Sequence, residues 1–287
     1  MLISARKLYN QLQDQLSDTL KKHYSTREID TVLRWLLEHT LSLTQTDILV
    51  DKETALLDVQ QKQLHHYVER LNQEEPIQYV LGECEFYGRT FAVNPQVLIP
   101  RPETEELVQL IVQQHSKAEN LKILDIGTGS GCIAITLDKE LPQSTVWALD
   151  NSPDALAITR QNAHRLQSSV EFVEMDILAN TPNIEQLEMI VSNPPYVLQS
   201  ERMNMRQNVL KYEPQTALFV EDTNPLLFYR RISELCTQQL TRVKWVYLEI
   251  HEKFAPEIKA LLTQGGFVAV RTVKDMQGKD RFIVASR

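Results

Sequence analysis

The chain has 287 residues, of which 43% are hydrophobic, and carries a formal net charge of −8. That is enough apolar material for one large domain or two unequal ones. Its acidity argues against a surface built to neutralise phosphates, although a local basic groove stays open.

Cys84, Cys132 and Cys236 are too few and too widely spaced for a disulfide framework or a Cys-rich zinc site, so a reducing compartment and no metal are expected. The stretch MLISARKLYNQLQDQL breaks its apolar residues with charges and amides, unlike a secretion signal. No segment approaches the roughly 20 apolar residues of a membrane helix. A cytoplasmic protein with no membrane partner is expected.

From Ile3 to about Leu71 the periodicity is helical. Leu8, Leu12, Leu16 and Leu20 recur every four residues. Ser25 and Glu28 have capping-box spacing ahead of an apolar face of Ile29, Val32, Leu33, Leu36 and Leu37. Leu57, Leu64, Tyr67, Val68 and Leu71 mark a later helix. Residues 1–75 therefore read as a small helical domain whose apolar faces pack on one another. The polar break LNQEEP ends at Pro76, and the periodicity changes. In IQYVLGECEFYGRTFAVNPQVLIP, Gly82 and Gly88 punctuate β-branched and aromatic residues, which predicts a hairpin linker over 76–101. RPETEELVQLIVQQH then starts a helix, with Pro102 near its start and acidic residues in its first turn.

Beyond Leu121, strand and helix patterns alternate. LKILDI, TVWALD, VEFVEM and LEMIVS are strand candidates, joined later by VKWVYLEI, FVAVRTV and RFIVAS. Such alternation predicts a largely parallel sheet covered by helices on both faces over 102–287.

Between LKILDI and its helix stand Gly127, Thr128, Gly129, Ser130 and Gly131. Missing β-carbons allow a tight turn and let a nucleotide-like ligand lie against backbone. The third glycine of a dinucleotide fingerprint would fall at Cys132, which disfavours NAD. TVWALD ends in Asp150, a carboxylate that can accept from both hydroxyls of a ribose. The third strand leads into Asp176, an acceptor for an adenine amino group, and Ile177, apolar cover for its ring. Together these stations suit S-adenosylmethionine. Asp125 either orients the loop or approaches the amino-acid end of that cofactor.

The fourth strand runs into Asn193, Pro194, Pro195 and Tyr196. The prolines fix φ, and Pro195 has no N–H, so nearby carbonyls are held in set directions. The Asn193 oxygen and the Pro194 carbonyl can each take one N–H of a planar NH₂ group while Tyr196 covers its flat face. Asn193 also adjoins the cofactor stations. This predicts in-line methyl transfer to a conjugated amine or amide, with no covalent enzyme intermediate.

These segments resemble the HemK/PrmC family, the protein-(glutamine-N5) methyltransferases of peptide chain release factors. The resemblance runs from about Pro76 to the C-terminus on PIQYVLGECEFYG, VLIPRPETEELV, DIGTGSGCIAI, VSNPPY, YEPQTALF and GKDRF. It implies an α/β fold: a seven-stranded Rossmann-like class I methyltransferase domain with an antiparallel last strand, preceded by a helical bundle and a hairpin. It implies S-adenosylmethionine at Gly127 to Gly131, Asp150, Ile177 and Asn193. The implied substrate is the glutamine of a release factor's Gly-Gly-Gln motif, held by Asn193 to Tyr196, with the helical domain gripping the factor. A monomer is expected. Two departures bear on loop shape: EIHEKF where the family tends to glycine then glutamine, and Asn224-Pro225 where it often has glycine. Arg101, Glu103 and Glu105 either close over the cofactor or begin a solvated helix. Tyr212, Glu213 and Pro214 support the substrate loop or merely turn the chain.

Two alternatives remain at this level. An adenine-amine methyltransferase acting on DNA or RNA presents nearly the same planar target after base flipping. A non-catalytic binding protein on the same fold would carry a damaged acceptor loop, whereas NPPY is intact.

Overall fold

Side-chain caps divide the N-terminal leucine repeat into two helices. The computed structural model describes Met1–Arg287. After a short strand β1 (Leu2–Ser4), helix α1 (Ala5–Gln15) stops at Leu16, because Ser17 begins α2 (Asp18–His23) by accepting the Leu20 N–H at 3.2 Å. Helix α3 (Thr26–Leu41) opens with the expected capping box: Glu28 N–H donates to Ser25 Oγ, and Ser25 N–H to Glu28 Oε2. Then come α4 (Gln45–Leu49), β2 (Glu53–Ala55), which pairs antiparallel with β1, α5 (Asp58–Asn72) and α6 (Ile77–Leu81). Leu8, Leu12, Leu33, Leu36, Leu37, Leu64 and Leu71 share one core. Each such burial contributes about 1.5–3 kcal/mol before entropy is counted.

Three details differ from the sequence reading. Leu57 is the N-cap of α5 and is 58% exposed, so it lies off the buried face. IQYVL is a helix, because Ile77 and Val80 enter the helical core and Arg70 caps it, donating to the carbonyls of Tyr79 and Val80 at 2.9 Å. The compact units are Met1–Gly82 with Arg206–Tyr212, and Glu83–Met205 with Glu213–Arg287, so the separation falls at Gly82 and not at Pro76. Helix α10 (Gln207–Tyr212), far along the chain, belongs to the first unit: Asn208 bonds Tyr24, Arg206 pairs with Glu28, and Tyr212 donates to the Gln73 carbonyl.

The second unit begins with the hairpin β3 (Glu83–Phe86) and β4 (Arg89–Ala92). Its turn residues Tyr87 and Gly88 both have positive φ, 51° and 69°, as a two-residue hairpin with right-handed twist requires. The hairpin is not a free linker. Phe86 and Phe91 are fully buried in the main core, their rings edge-on at 6.0 Å.

There follow α7 (Pro102–His115), β5 (Lys122–Ile126), α8 (Cys132–Glu140), β6 (Thr145–Asp150), α9 (Pro153–Arg165), β7 (Glu171–Glu174), β8 (Met189–Ser192) and β9 (Val197–Leu198). After α10 come α11 (Gln215–Leu218), β10 (Phe219–Val220), α12 (Leu227–Gln238), β11 (Trp245–Glu249), α13 (Ala255–Gln264), β12 (Ala269–Lys274) and β13 (Asp280–Ser286). Strands β9 and β10 pair separately. The other seven form one sheet in the order β12-β13-β11-β8-β5-β6-β7, in which only the pairs made by β13 are antiparallel.

Period-two alternation explains why both faces are covered. Ile123, Val146, Met189 and Val191 face a core completed by α7, α8 and α9. Leu124, Leu149, Ile190 and Val246 face the core of α12 and α13. The largely parallel sheet covered on both faces that the alternation predicts is observed, and its seven strands with an antiparallel last strand are those of the class I methyltransferase fold that the resemblance implies.

Candidate active site

Three strand ends create the site. In register, Ser192 of β8 stands between Ile126 of β5 and Leu248 of β11, so Gly127, Asn193 and Glu249 occupy the same level at the carboxyl edge. Ser192 Oγ also donates to the Ile126 carbonyl at 2.7 Å. From β5 the chain winds through β6 and β7 to one side, whereas β8 lies on the other. That reversal opens the crevice where open α/β sheets bind ligands.

The glycine loop is held from below and open above. Asp125 is fully buried and accepts through Oδ2 from Thr128 Oγ1 at 2.7 Å and from the Ala134 N–H at 3.2 Å. Through Oδ2, Asp125 thus braces the glycine loop from below. Burial, aided by the Asp150 charge, pushes Asp125 up to about 7 against those hydrogen bonds. From α9, Thr159 donates to the Gly129 carbonyl at 2.8 Å and Asn162 to the Ser130 carbonyl at 2.8 Å. A β-carbon at Gly127 or Gly129 would meet nothing within 4 Å, so the backbone there offers an uncovered cradle. Gly131 is different. Its φ is +81°, and a β-carbon would lie 2.6 Å from Thr159 Cγ2.

Asp150 is half-buried at the end of β6, accepting the Gly129 N–H at 2.9 Å and the Ser152 N–H at 3.0 Å. Burial raises its pKa and the backbone donors oppose the rise. Each carboxylate oxygen keeps a further lone pair. Asp176 is exposed and turns the chain after β7 by accepting the Leu178 N–H at 2.8 Å, while Ile177 beside it is buried.

Asn193 leads the acceptor loop. Its Nδ2 donates to Thr104 Oγ1 at 3.1 Å, and Thr104 in turn donates to Glu249 Oε2 at 2.7 Å. Tyr196 OH donates to Glu249 Oε1 at 3.0 Å. No hydrogen bond within the chain reaches Asn193 Oδ1 or the Pro194 carbonyl oxygen. Burial raises the Glu249 pKa, opposed by its bonds from Thr104 and Tyr196 and by the charge of Arg281. Burial and the Glu249 charge hold the Tyr196 hydroxyl far above its ordinary value.

Thr104 and Glu249 were not singled out in the sequence. A carboxylate closing the strand VYLE, on the same edge as Asp125 and Asp150, is the signal that could have found Glu249. Arg101 binds the buried carboxylate of Glu213 at 2.6 Å, and Ile99 N–H donates to that carboxylate at 3.2 Å, so Glu213 anchors the segment before α7. Glu105 accepts the Tyr87 N–H, and Glu103 accepts from Gln277. These acids tie loops together. At the first departure, His251 bonds Glu201 at 3.0 Å, with its ring edge-on to Tyr196 at 6.2 Å. At the second, Asn224 accepts from Arg230 at 3.0 Å.

A class I sheet, an uncovered glycine cradle and an Asn-Pro-Pro-Tyr loop on one edge define a methyltransferase. Residues 103–217 match the methyltransferase small domain, and residues 11–82 match the PrmC N-terminal domain. The chain is 41% identical to the release factor glutamine methyltransferase of Flavobacterium psychrophilum, over 96% of this chain and 98% of that one. It is 42% identical to the one of Bacteroides thetaiotaomicron, over 97% and 100%. Among solved structures, the catalytic domain of hMettl16 in complex with MAT2A 3′UTR hairpin 6 shares the fold at a TM-score of 0.55 and 17% identity, covering 83% of this chain and 85% of that one. The chain belongs to the HemK/PrmC family of release factor glutamine methyltransferases.

Proposed function

We propose that this protein transfers a methyl group from S-adenosylmethionine to the side-chain amide nitrogen of the glutamine in the Gly-Gly-Gln motif of peptide chain release factors. The observation that carries this reading is the pair of acceptors, Asn193 Oδ1 and the Pro194 carbonyl, which no donor of the chain satisfies, beside an uncovered glycine cradle.

The residues fit the cofactor. Gly127, Thr128, Gly129, Ser130 and Gly131 form its floor, Asp150 accepts from the ribose hydroxyls, and Asp176 and Ile177 take the adenine amine and ring. When bound, S-adenosylmethionine would supply a methyl carbon made electrophilic by its sulfonium, and breaking of its methyl–sulfur bond would leave S-adenosylhomocysteine. The chain supplies position. An amide nitrogen is a poor nucleophile because its lone pair is delocalised. Holding both of its hydrogens on Asn193 Oδ1 and the Pro194 carbonyl aims the nitrogen and favours pyramidalisation as the new C–N bond forms. Tyr196 covers the amide's flat face, and the nitrogen releases one proton to solvent.

The helical unit serves to recognise the factor, and the protein works in the cytoplasm, where translation terminates. No helix is long and apolar enough to cross a membrane. Relatives at 41% and 42% identity over nearly the whole chain favour a protein amide over a nucleic-acid amine.

The test is incubation with methyl-labelled donor and, in parallel, purified release factor, DNA and RNA. Label on the release-factor glutamine supports the reading. Label confined to nucleic acid, or absent from the factor, overturns it.

A further inference from the structure

A primary amide is nearly symmetric in outline. Turned over about its last bond, Asn193 would present two N–H donors where the proposed chemistry needs an oxygen. An incoming NH₂ group would then meet donors, and an incoming carboxylate would find partners. Something must decide between the two orientations.

Hydrogen-bond counting decides. The Glu249 carboxylate is 1% exposed and receives two hydroxyls, Tyr196 at Oε1 and Thr104 at Oε2. A hydroxyl has one hydrogen, and the 2.7 Å bond to Glu249 uses that of Thr104. Toward Asn193, Thr104 can offer only a lone pair. Asn193 must answer with Nδ2, at 3.1 Å, and its oxygen faces the other way. Thr104 is 3% exposed, so solvent has little access to replace it. The backbone of Glu249 is fixed as well, its carbonyl accepting from Tyr229 OH at 3.1 Å. One buried carboxylate thus anchors both halves of the clamp, the Tyr196 ring directly and the Asn193 amide through Thr104.

We propose that Thr104 and Glu249 are positioning residues which lock the Asn193 amide as a hydrogen-bond acceptor and so select a glutamine amide over a glutamate carboxylate. This rests on the methyl-transfer reading above. Neither residue touches the reacting atoms. With the lock in place, a carboxylate faces two oxygens, Asn193 Oδ1 and the Pro194 carbonyl, and is repelled. Without it, the amide turns to suit either substrate, and discrimination falls along with turnover.

Thr104→Val keeps the side chain's shape and removes the hydroxyl, whereas Thr104→Ser keeps the hydroxyl. In single-turnover assays with purified release factor, Thr104→Val should lower the rate about 10- to 50-fold, as for one lost orienting hydrogen bond, with donor affinity within about 2-fold by calorimetry. Thr104→Ser should stay within about 3-fold of wild type, because it restores the bond. In an Asn193→Ala background Thr104→Val should cost nothing further, since residues acting as one unit are non-additive. A release factor with glutamate at the target position should compete better against Thr104→Val than against wild type.

Additive loss in the double variant, an unchanged rate in Thr104→Val, or failure of Thr104→Ser to rescue would each overturn the lock. If Thr104→Val does not fold, Thr104→Ala replaces it in the same cycle: it too lacks the hydroxyl and leaves the Tyr196–Glu249 bond in place, so the same non-additivity with Asn193→Ala is expected. If wild type methylates no release factor, the functional reading itself fails. If wild type works and Thr104→Val matches it, only the lock fails.

Discussion

Asn162 of α9 bonds both backbone groups of Ala92, accepting its N–H at 2.6 Å through Oδ1 and donating to its carbonyl at 3.0 Å through Nδ2. The same Nδ2 reaches the Ser130 carbonyl, so one buried amide ties the end of the hairpin to the glycine loop. Replacing it strands three backbone groups away from water. Asn162→Ala should destabilise the protein by about 2–5 kcal/mol in denaturant melts, with weaker donor binding. A loss below about 0.5 kcal/mol would mean that the clamp is dispensable.

Gly131 sits where both conformation and space exclude a side chain. An added β-carbon would lie 2.6 Å from Thr159 Cγ2 and 2.9 Å from Ile135 Cδ1, at a φ of +81°. Gly131→Ala should therefore cost about 2–4 kcal/mol from strain and overlap. Thr159→Ser removes that methyl and retains the hydroxyl bonded to the Gly129 carbonyl. Adding it to Gly131→Ala should recover part of the stability; no recovery would show that the overlap with Thr159 contributes nothing and that φ and Ile135 set the loss.

Asp125 makes stability depend on pH. Its folded-state pKa is raised by burial to about 7, above the unfolded value of 3.8. The folded state therefore holds a proton that the unfolded state has lost, and this contribution to stability disappears as pH rises from about 4 through 7. Asn can accept both Thr128 and Ala134 on one oxygen, as Asp125 Oδ2 does, without titrating. Between pH 5 and pH 8 the melting temperature of Asp125→Asn should rise relative to wild type by at least about 2 °C. A flat or falling difference would contradict the assignment.

Asp150 braces Gly129 and is proposed to hold the donor's ribose. Asp150→Ala should weaken donor binding by about 1–3 kcal/mol in calorimetry. Unaltered affinity would reject that role.

What could be read from the sequence follows from what leaves a local trace. Strands buried on both faces, such as LKILDI and LEMIVS, place apolar residues at adjacent positions, and Ser25 with Glu28 carries a cap in four residues. The acceptor loop and glycine loop announce themselves by proline and glycine. By contrast, IQYVL is too short to display a helical period, and its β-branched and aromatic residues suggest a strand; only Arg70 and the helical core decide it. Leu57 has the right spacing but falls one residue before the helix begins. The Thr104–Glu249 bond joins residues 145 apart, which no periodicity can signal. Nor could sequence spacing show that Arg206–Tyr212 joins the helical unit, since Glu28, Tyr24 and Gln73 make those bonds across the chain.

The most direct test of the central claim is the single-turnover rate of Asn193→Ala on purified release factor, measured beside its donor affinity. The account predicts a rate at least ~100-fold below wild type, as for loss of a group that aims the nucleophile, with donor binding still measurable. Methylation of the same glutamine at an undiminished rate would contradict it.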